Sequence, residues 1–260
     1  MKDKVILSKR LEAVACMVTP GNRVCDVGCD HGFVPIYLIQ QGISKRVLAM
    51  DVKKGPLERA KEHVRAYHLD NYIETRLSDG LTDYRPGEAD SLICAGMGGK
   101  LMVKILETDR VKTASFRELI LQPQSELEQF RRFLRTQGYL LTAENMIEED
   151  GKFYPIMKAV KGLEKTLALG ESLKLPWQIK MEDRYGPVLL QSKHPVLYRY
   201  LEREARILKE ILEQIEANKA EGEKQNGRCQ EAGVKKRTDR YTEVREQLRD
   251  CLQVMQMLCP

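Results

Sequence analysis

The sequence predicts a doubly wound α/β domain, closed by a β-hairpin and followed by two helices. Three observations carry this expectation. Short apolar runs alternate with amphipathic stretches over the first ~160 residues. The alternation ends in two consecutive strand-like runs around an acidic turn. Beyond Pro195 the apolar residues recur at alternating steps of four and three.

Residues 23–27 (Arg-Val-Cys-Asp-Val) read as a strand ending at Gly28, and residues 33–41 as a helix stopped at Gly42. Residues 46–51 form a second strand. Residues 55–67 form a charged helix with Leu57, Ala60 and Val64 on one face. Residues 73–77 are a third strand, and residues 90–95 a fourth that ends at Gly96. A helix over 100–106, a fifth strand over 119–122 and a helix over 126–137 stopped at Gly138 follow. Residues 139–147 and 153–160 flank Glu148-Glu149-Asp150-Gly151 as a hairpin, so one strand must run antiparallel. The domain so defined covers 1–161.

Residues 162–195 read as an irregular connecting segment that holds Trp177. In 196–260, Leu201, Ala205, Leu208, Leu212 and Ile215 form one seam. Tyr241, Val244, Leu248, Cys251, Met255 and Leu258 form another, with a polar stretch over 218–240 between them. Two antiparallel helices forming a coiled-coil-like hairpin are expected. The seams can pair within one chain or between chains, and a monomer is the expectation.

Composition narrows the function. The hydrophobic share of 42% suffices for a core, and 6% aromatics make that core aliphatic. A net charge of +5 is compatible with a polyanionic partner. No apolar run reaches the ~18 residues that cross a bilayer, and the N-terminal residues lack a signal-peptide pattern. A cytoplasmic protein without a membrane partner is expected. The seven cysteines are scattered, with no CxxC pair. Reduced, mostly buried thiols and no metal site are expected.

The densest motif is Asp26-Val27-Gly28-Cys29-Asp30-His31-Gly32, between the first strand and the first helix after it. Ligands of doubly wound sheets bind outside the carboxyl ends of the strands. Three more strand ends carry a glycine, an acid or both. Asp51-Val52 closes the second strand, placing a carboxylate for ribose hydroxyls. Ser78-Asp79-Gly80-Leu81 follows the third, with a carboxylate for the exocyclic amine of adenine. Ala95-Gly96-Met97-Gly98-Gly99 follows the fourth, where small residues leave a floor for two reactants. A nicotinamide dinucleotide prefers G-x-G-x-x-G with its diphosphate on the helix N-terminus. The spacing here is Gly28-x-x-x-Gly32 with Asp30 inside, and a carboxylate there repels a diphosphate but tolerates a sulfonium or an amine. S-adenosylmethionine is therefore the expected cofactor. Asp26, Gly28, Cys29, Gly32, Asp51, Val52, Asp79, Gly80, Leu81 and Ala95 are its expected site.

These motifs, together with Leu7-Ser8-Lys9-Arg10-Leu11, Pro35-Ile36-Tyr37-Leu38 and Leu121-Gln122-Pro123-Gln124, resemble the TrmK-type bacterial tRNA adenine N1-methyltransferases, which act on adenine 22. The resemblance covers the α/β domain and extends more loosely to the helical tail. It implies a Rossmann-like class I methyltransferase sheet, a tRNA substrate and a coiled-coil-like C-terminal domain.

Asp30, Gly96 and Met97 are expected at the reacting centre. Asp30 is either the carboxylate that stabilises a cationic methylated base or a turn-capping group. The carbonyls of Ala95 and Gly96 are candidates to hold the exocyclic amine. Lys9, Arg10, His31, Gln122 and Pro123 are expected to face the substrate: Gln122-Pro123-Gln124 either lines the base pocket or, at the proline, just begins the next helix. His31 acts either as a base or as a loop-orienting residue, and Arg10 either as a clamp or as a solvated helix charge. Lys9, Lys45, Arg46, Lys53 and Lys54 are expected to form a phosphate track along the active edge of the sheet. Two other functions use the same motifs: a small-molecule methyltransferase, and a nucleic-acid-binding module without turnover. The helical tail argues against the first, and the acids Asp26, Asp51 and Asp79 against the second.

Overall fold

The computed structural model describes residues 4–162, 174–225 and 231–259. Five strands run parallel: β1 (Val24–Val27), β2 (Val47–Asp51), β3 (Ile73–Leu77), β4 (Ser91–Met97) and β5 (Glu118–Pro123). The hairpin strands β6 (Tyr139–Glu149) and β7 (Lys152–Lys161) complete one seven-stranded sheet of order β3-β2-β1-β4-β5-β7-β6. β7 is antiparallel to both β5 and β6, as the terminal hairpin predicts.

The sheet carries helices α1 (Lys9–Cys16), α2 (Phe33–Gln40), α3 (Lys54–Ala66), α4 (Gly99–Thr108), α5 (Arg110–Ala114) and α6 (Leu127–Thr136). Side chains alternate across a strand, so each strand feeds two cores. Cys25, Val27, Leu48, Met50, Leu92 and Cys94 pack with Met102, Leu106 and Phe130 of α4 and α6. Val24, Val47, Ala49, Ile93 and Ile120 pack with Val14, Ile36, Leu38 and Leu57 of α1, α2 and α3. Burial on both faces explains why β1, β2 and β5 read as nearly unbroken apolar runs. The predicted face of α3 is the buried one: Leu57, Ala60 and Val64 are all inside.

The expected irregular segment is partly helical. Residues 163–173 lie outside the described residues, but α7 (Pro176–Tyr185) and α8 (Pro187–Gln191) follow them. Prolines at the first positions of both helices suit a helix start, where no N–H partner is needed. A buried ion pair holds this segment. Arg131 Nε donates to Glu144 Oε1 at 2.9 Å, with both side chains nearly inaccessible. Arg131 Nη1 donates to the carbonyl of Arg184 at 3.0 Å, and Glu144 Oε2 accepts the Val188 N–H at 2.9 Å. Asp183 is clamped in turn by Arg135 at 2.8 Å. A Cβ at residue 186 would lie 2.6 Å from the Glu144 carboxylate, so the chain passes this point as Gly186.

The chain divides into two compact units, Met1–Leu189 and Leu190–Pro260. In the second, α9 (Pro195–Gln225) packs against α10 (Glu231–Leu258). Their partners run in opposite directions. Tyr241 Oη donates to Glu216, and Cys251 Sγ meets the carbonyl of Leu201. The seam of α9 buries Leu201, Ala205 and Leu208 as expected. In α10 Val244, Cys251 and Leu258 are buried, and Val254 takes the inner position that the spacing assigned to Met255. The helical backbone runs into the expected polar break from both sides, as far as Gln225 and from Glu231. No helix among the described residues is long and apolar enough to cross a membrane.

The buried ion pair generates a stability test. Arg131→Met strands the Glu144 carboxylate and is expected to cost about 3–5 kcal/mol in urea unfolding. The double variant Arg131→Met, Glu144→Met should cost much less than the sum of the single changes.

Candidate active site

A cavity of about 480 Å³ opens at the carboxyl ends of β1, β2 and β4. Its size falls within the ~300–1,000 Å³ usual for small-molecule sites. It is built from the turns that leave these strands. After β1 the chain turns at Gly28, whose φ is +79°. The N–H groups of Gly28 and Cys29 both donate to the carbonyl of Met50, at 2.8 and 3.0 Å, which ties the turn to β2. The methyl of Met97 lies against Gly28, where any Cβ would collide with it. The ends of β1 and β4 therefore meet across a bare glycine.

Four carboxylates face this space, those of Asp26, Asp30, Asp51 and Asp79, each in a different state. Asp26 is 4% exposed, lines the cavity and accepts no side-chain hydrogen bond from the described residues. Burial, reinforced by the neighbouring Asp51 carboxylate, pushes its pKa up to about 7. Asp51 is oriented by backbone: Oδ1 accepts the Lys53 N–H at 2.8 Å and Oδ2 the Asp30 N–H at 3.2 Å. Asp79 is exposed at its turn. Its carbonyl accepts from Thr82, while Ser78 Oγ bonds the carbonyl of Gly80 and the N–H of Asp83, which fixes the loop.

Asp30 stands at φ +46°, a left-handed conformation unusual for a residue with a side chain. That turn spends its N–H on Asp51 and leaves the carboxylate largely exposed, 3.6 Å from His31 Nε2. His31 Nδ1 accepts from Arg59 Nε at 3.3 Å, which leaves Nε2 facing Asp30. The carbonyl of His31 accepts from His63 Nδ1 at 2.8 Å, and the His63 ring stacks on Phe33 at 4.7 Å.

At the end of β4 the register with β5 shifts between Ala95 and Met97. Gly96 N–H donates to Gln122 Oε1 at 3.2 Å, and the same oxygen accepts from Arg10 Nη1 at 2.8 Å. The Arg10 guanidinium lies over the Tyr154 ring at 5.3 Å. Helix α1, capped by Ser8, thus delivers Arg10 to the cavity mouth.

The cavity wall brings together Arg10, Asp26, Gly28, Cys29, Asp30, His31, Asp51, Val52, Asp79, Gly80, Ala95, Gly96 and Met97. Other sequence-predicted residues fall elsewhere. Gly32 caps α2 and packs on α3, where its Cβ position is 3.0 Å from that of Ala60. Leu81 is in the core beneath the site. Gln122 and Pro123 are buried in β5, with Gln122 serving as the bracket just described. Lys9 is exposed and does not line the cavity, its N–H going to Glu149 at 2.8 Å. The phosphate track is also corrected. Lys45 and Arg46 precede β2 and so lie at the amino edge of the sheet, opposite the cavity, while Lys53 does line it. Sequence reasoning missed Phe33 and Leu101, whereas of the stretch Gln122-Pro123-Gln124, expected to line the base pocket, only Gln124 reaches the cavity wall. Phe33 and Leu101 are apolar residues left exposed beside glycine turns, a signal that an amphipathic pattern hides. No group of three metal-binding side chains occurs among the described residues.

Asp26 sets a pH dependence. The folded protein keeps its proton up to about pH 7, whereas an unfolded Asp loses it near pH 3.9. Stability of the free protein therefore falls as pH rises through this window and levels off above it. Urea unfolding should show a loss on the order of 2 kcal/mol between about pH 5 and pH 8 that Asp26→Asn abolishes. Equal slopes for the two proteins would remove Asp26 as the cause.

A methyltransferase domain model matches residues 7–157. The tRNA (adenine(22)-N(1))-methyltransferase of Bacillus subtilis is 33% identical over 213 residues, covering 82% of this chain and 87% of that protein. The crystal structure of the B. subtilis M1A22 tRNA methyltransferase TrmK superposes with a TM-score of 0.77 at 29% identity, covering 96% of this chain and 99% of that one. A Streptococcus pneumoniae structure in complex with S-adenosyl-L-methionine gives 0.77 at 30% identity, over 96% and 100% of the two chains. The fold, the position of the cavity and this likeness along nearly the whole length agree: the chain belongs to the tRNA (adenine(22)-N(1))-methyltransferase family.

Proposed function

We propose that this protein transfers a methyl group from S-adenosylmethionine to N1 of an adenine in tRNA, at position 22 as the B. subtilis relative's name specifies. The observation that carries the cofactor assignment is Asp26. It is a buried carboxylate without a partner, aimed into a cavity whose size suits a nucleoside. A cationic amino group is the ligand feature that satisfies it. A dinucleotide would bring phosphates to a wall carrying Asp26, Asp30 and Asp51.

In this reading Asp26 holds the cofactor's ammonium, and Gly28 and Cys29 provide bare backbone beside it. Asp51, held by two amides, accepts from the ribose hydroxyls while Val52 covers the sugar. Asp79 and Gly80 border the adenine, and Ala95 forms the floor. Gly32 and Leu81 act from outside the wall, through α2 packing and the core. Bound there, S-adenosylmethionine supplies a sulfonium methyl that needs no further activation, so positioning is the protein's main contribution.

The target base must leave its stack to reach the cavity. N1 is a lone-pair nucleophile, and its methylation leaves a cationic ring. The exposed carboxylate of Asp30 is placed to stabilise that charge and to accept the proton shed from the exocyclic amine. Gly96 and Met97 shape the floor where the reactants meet. His31 orients the Asp30 turn, Arg10 guards the mouth, and from within β5 Gln122, braced by the carbonyl of Pro123, holds Arg10 and the Gly96 bulge in place. Lys53 in the wall and Lys9, next to Arg10, are suited to backbone phosphates. A tRNA substrate implies a cytoplasmic enzyme. The two long helices bury each other's seams, which supports a monomer; the sequence pattern gives a catalytic domain over 1–161, a connecting segment over 162–195 and a helical domain over 196–260.

Labelled methyl transfer to unmodified tRNA, followed by nucleoside analysis, should yield 1-methyladenosine. Cofactor binding with transfer to free adenosine as fast as to tRNA would instead indicate a small-molecule enzyme. The site also predicts how binding responds to pH. Asp26 must be ionised to hold an ammonium, so cofactor affinity should rise with pH and plateau above about pH 7. Asp26→Asn should bind at least tenfold more weakly at pH 8, by calorimetric titration, with little pH dependence left.

A further inference from the structure

The two glutamines of Gln122-Pro123-Gln124 are in opposite situations. Gln122 is fully buried, and its carboxamide is committed at both ends. Oε1 accepts from Arg10 and from Gly96, and Nε2 donates to the carbonyl of Pro123 at 3.2 Å. Gln124 is exposed and lines the cavity. Its backbone N–H donates to the carbonyl of Met97 at 2.8 Å, which anchors the residue beside the end of β4. Its carboxamide makes no hydrogen bond among the described residues. Measured from the Cβ position at Gly96, Gln124 Nε2 is 3.9 Å away and Arg10 Nη1 3.6 Å away. The bare face of Gly96 is thus the floor of a slot walled by a committed guanidinium and a free carboxamide.

We infer that Gln124 recognises the target base as adenine through N6 and N7. The inference rests on the functional reading above and deepens it. Methylation at N1 requires the N1 lone pair to face the methyl donor, so that ring edge must stay uncovered. The remaining polar edge of adenine presents the N6 amine and the N7 acceptor. A carboxamide matches it: Oε1 accepts from N6, and Nε2 donates to N7. Guanine presents two acceptors there, O6 and N7, and would set the amide oxygen against O6. The same contact serves the chemistry, because charge arriving at N1 spreads into the N6 amine, where Oε1 receives it.

The test uses the full-length protein and a tRNA carrying either adenine or 7-deazaadenine at the target position. Cofactor binding is titrated for each variant to establish a folded site. Gln124→Ala is expected to lose about tenfold to a hundredfold in kcat/KM on the adenine tRNA, the discrimination usual for such a bidentate pair. The wild type should lose part of that factor on 7-deazaadenine, and Gln124→Ala should lose nothing further. Gln124→Glu should prefer the 7-deaza base, since its carboxylate keeps the N6 contact but repels the N7 lone pair. Losses that simply multiply between base and variant, with the wild type active, overturn the inference alone. Absence of transfer to either tRNA by wild type that binds the cofactor overturns the functional reading, and this inference with it.

Discussion

The parallel pairing of β1 with a strand on each side is the constraint from which the site follows. The chain leaves β1 through α2 to β2 on one flank, and after β3 it returns to β4 on the other. Two connections diverging from one strand end open a crevice there. The same pairing buries β1 on both faces, so its residues divide between the two cores and hold the strand end in place. The carbonyl of Met50 then fixes the Gly28 turn, and the bulge at Gly96 aims the end of β4 toward it.

The residues around the crevice hold their positions at the expense of local stability. A carboxylate inside a buried strand without a counter-charge is unfavourable for the free fold. Asp26 holds that position, and the protein responds by retaining a proton on it up to about pH 7. Asp30 adopts a left-handed conformation that its side chain disfavours, and thereby gives its N–H to Asp51 and its carboxylate to the cavity. Glutamine 122 resolves a third conflict. Its single oxygen restrains a bulge N–H and a guanidinium together, so the floor and the mouth of the cavity share one bracket.

The far edge of the sheet serves a different purpose. β7 pairs antiparallel between β5 and β6, so the hairpin extends the sheet without another crossover helix. β6 also supplies Glu144, whose two oxygens serve Arg131 of α6 and the amides that begin α8. In an ion pair with almost no solvent access, the desolvation of both charges offsets much of their attraction. Here the pair dictates where the chain goes after the sheet is complete.

The alternation of strand and helix was legible throughout residues 23–160, because burial on both faces imposes continuous apolar runs and glycines punctuate them. The acids and glycines at four strand ends were legible for the same reason: a strand end is a point in the sequence, and its chemistry is local. Side-chain direction at those ends was not. Gln122 and Gln124 are two residues apart in one motif, yet one braces the sheet and the other lines the cavity. Lys45 and Lys53 belong to one basic run by composition, but β2 runs between them and carries them to opposite edges. The helical character of 176–191 was hidden because prolines and charges mask its pattern, and its docking depends on Glu144, over thirty residues upstream. Local periodicity and turn chemistry thus determined the elements, their order and the acids of the site. The partners of each side chain were decided by packing between distant segments, since hydrogen bonds and burial follow proximity in space.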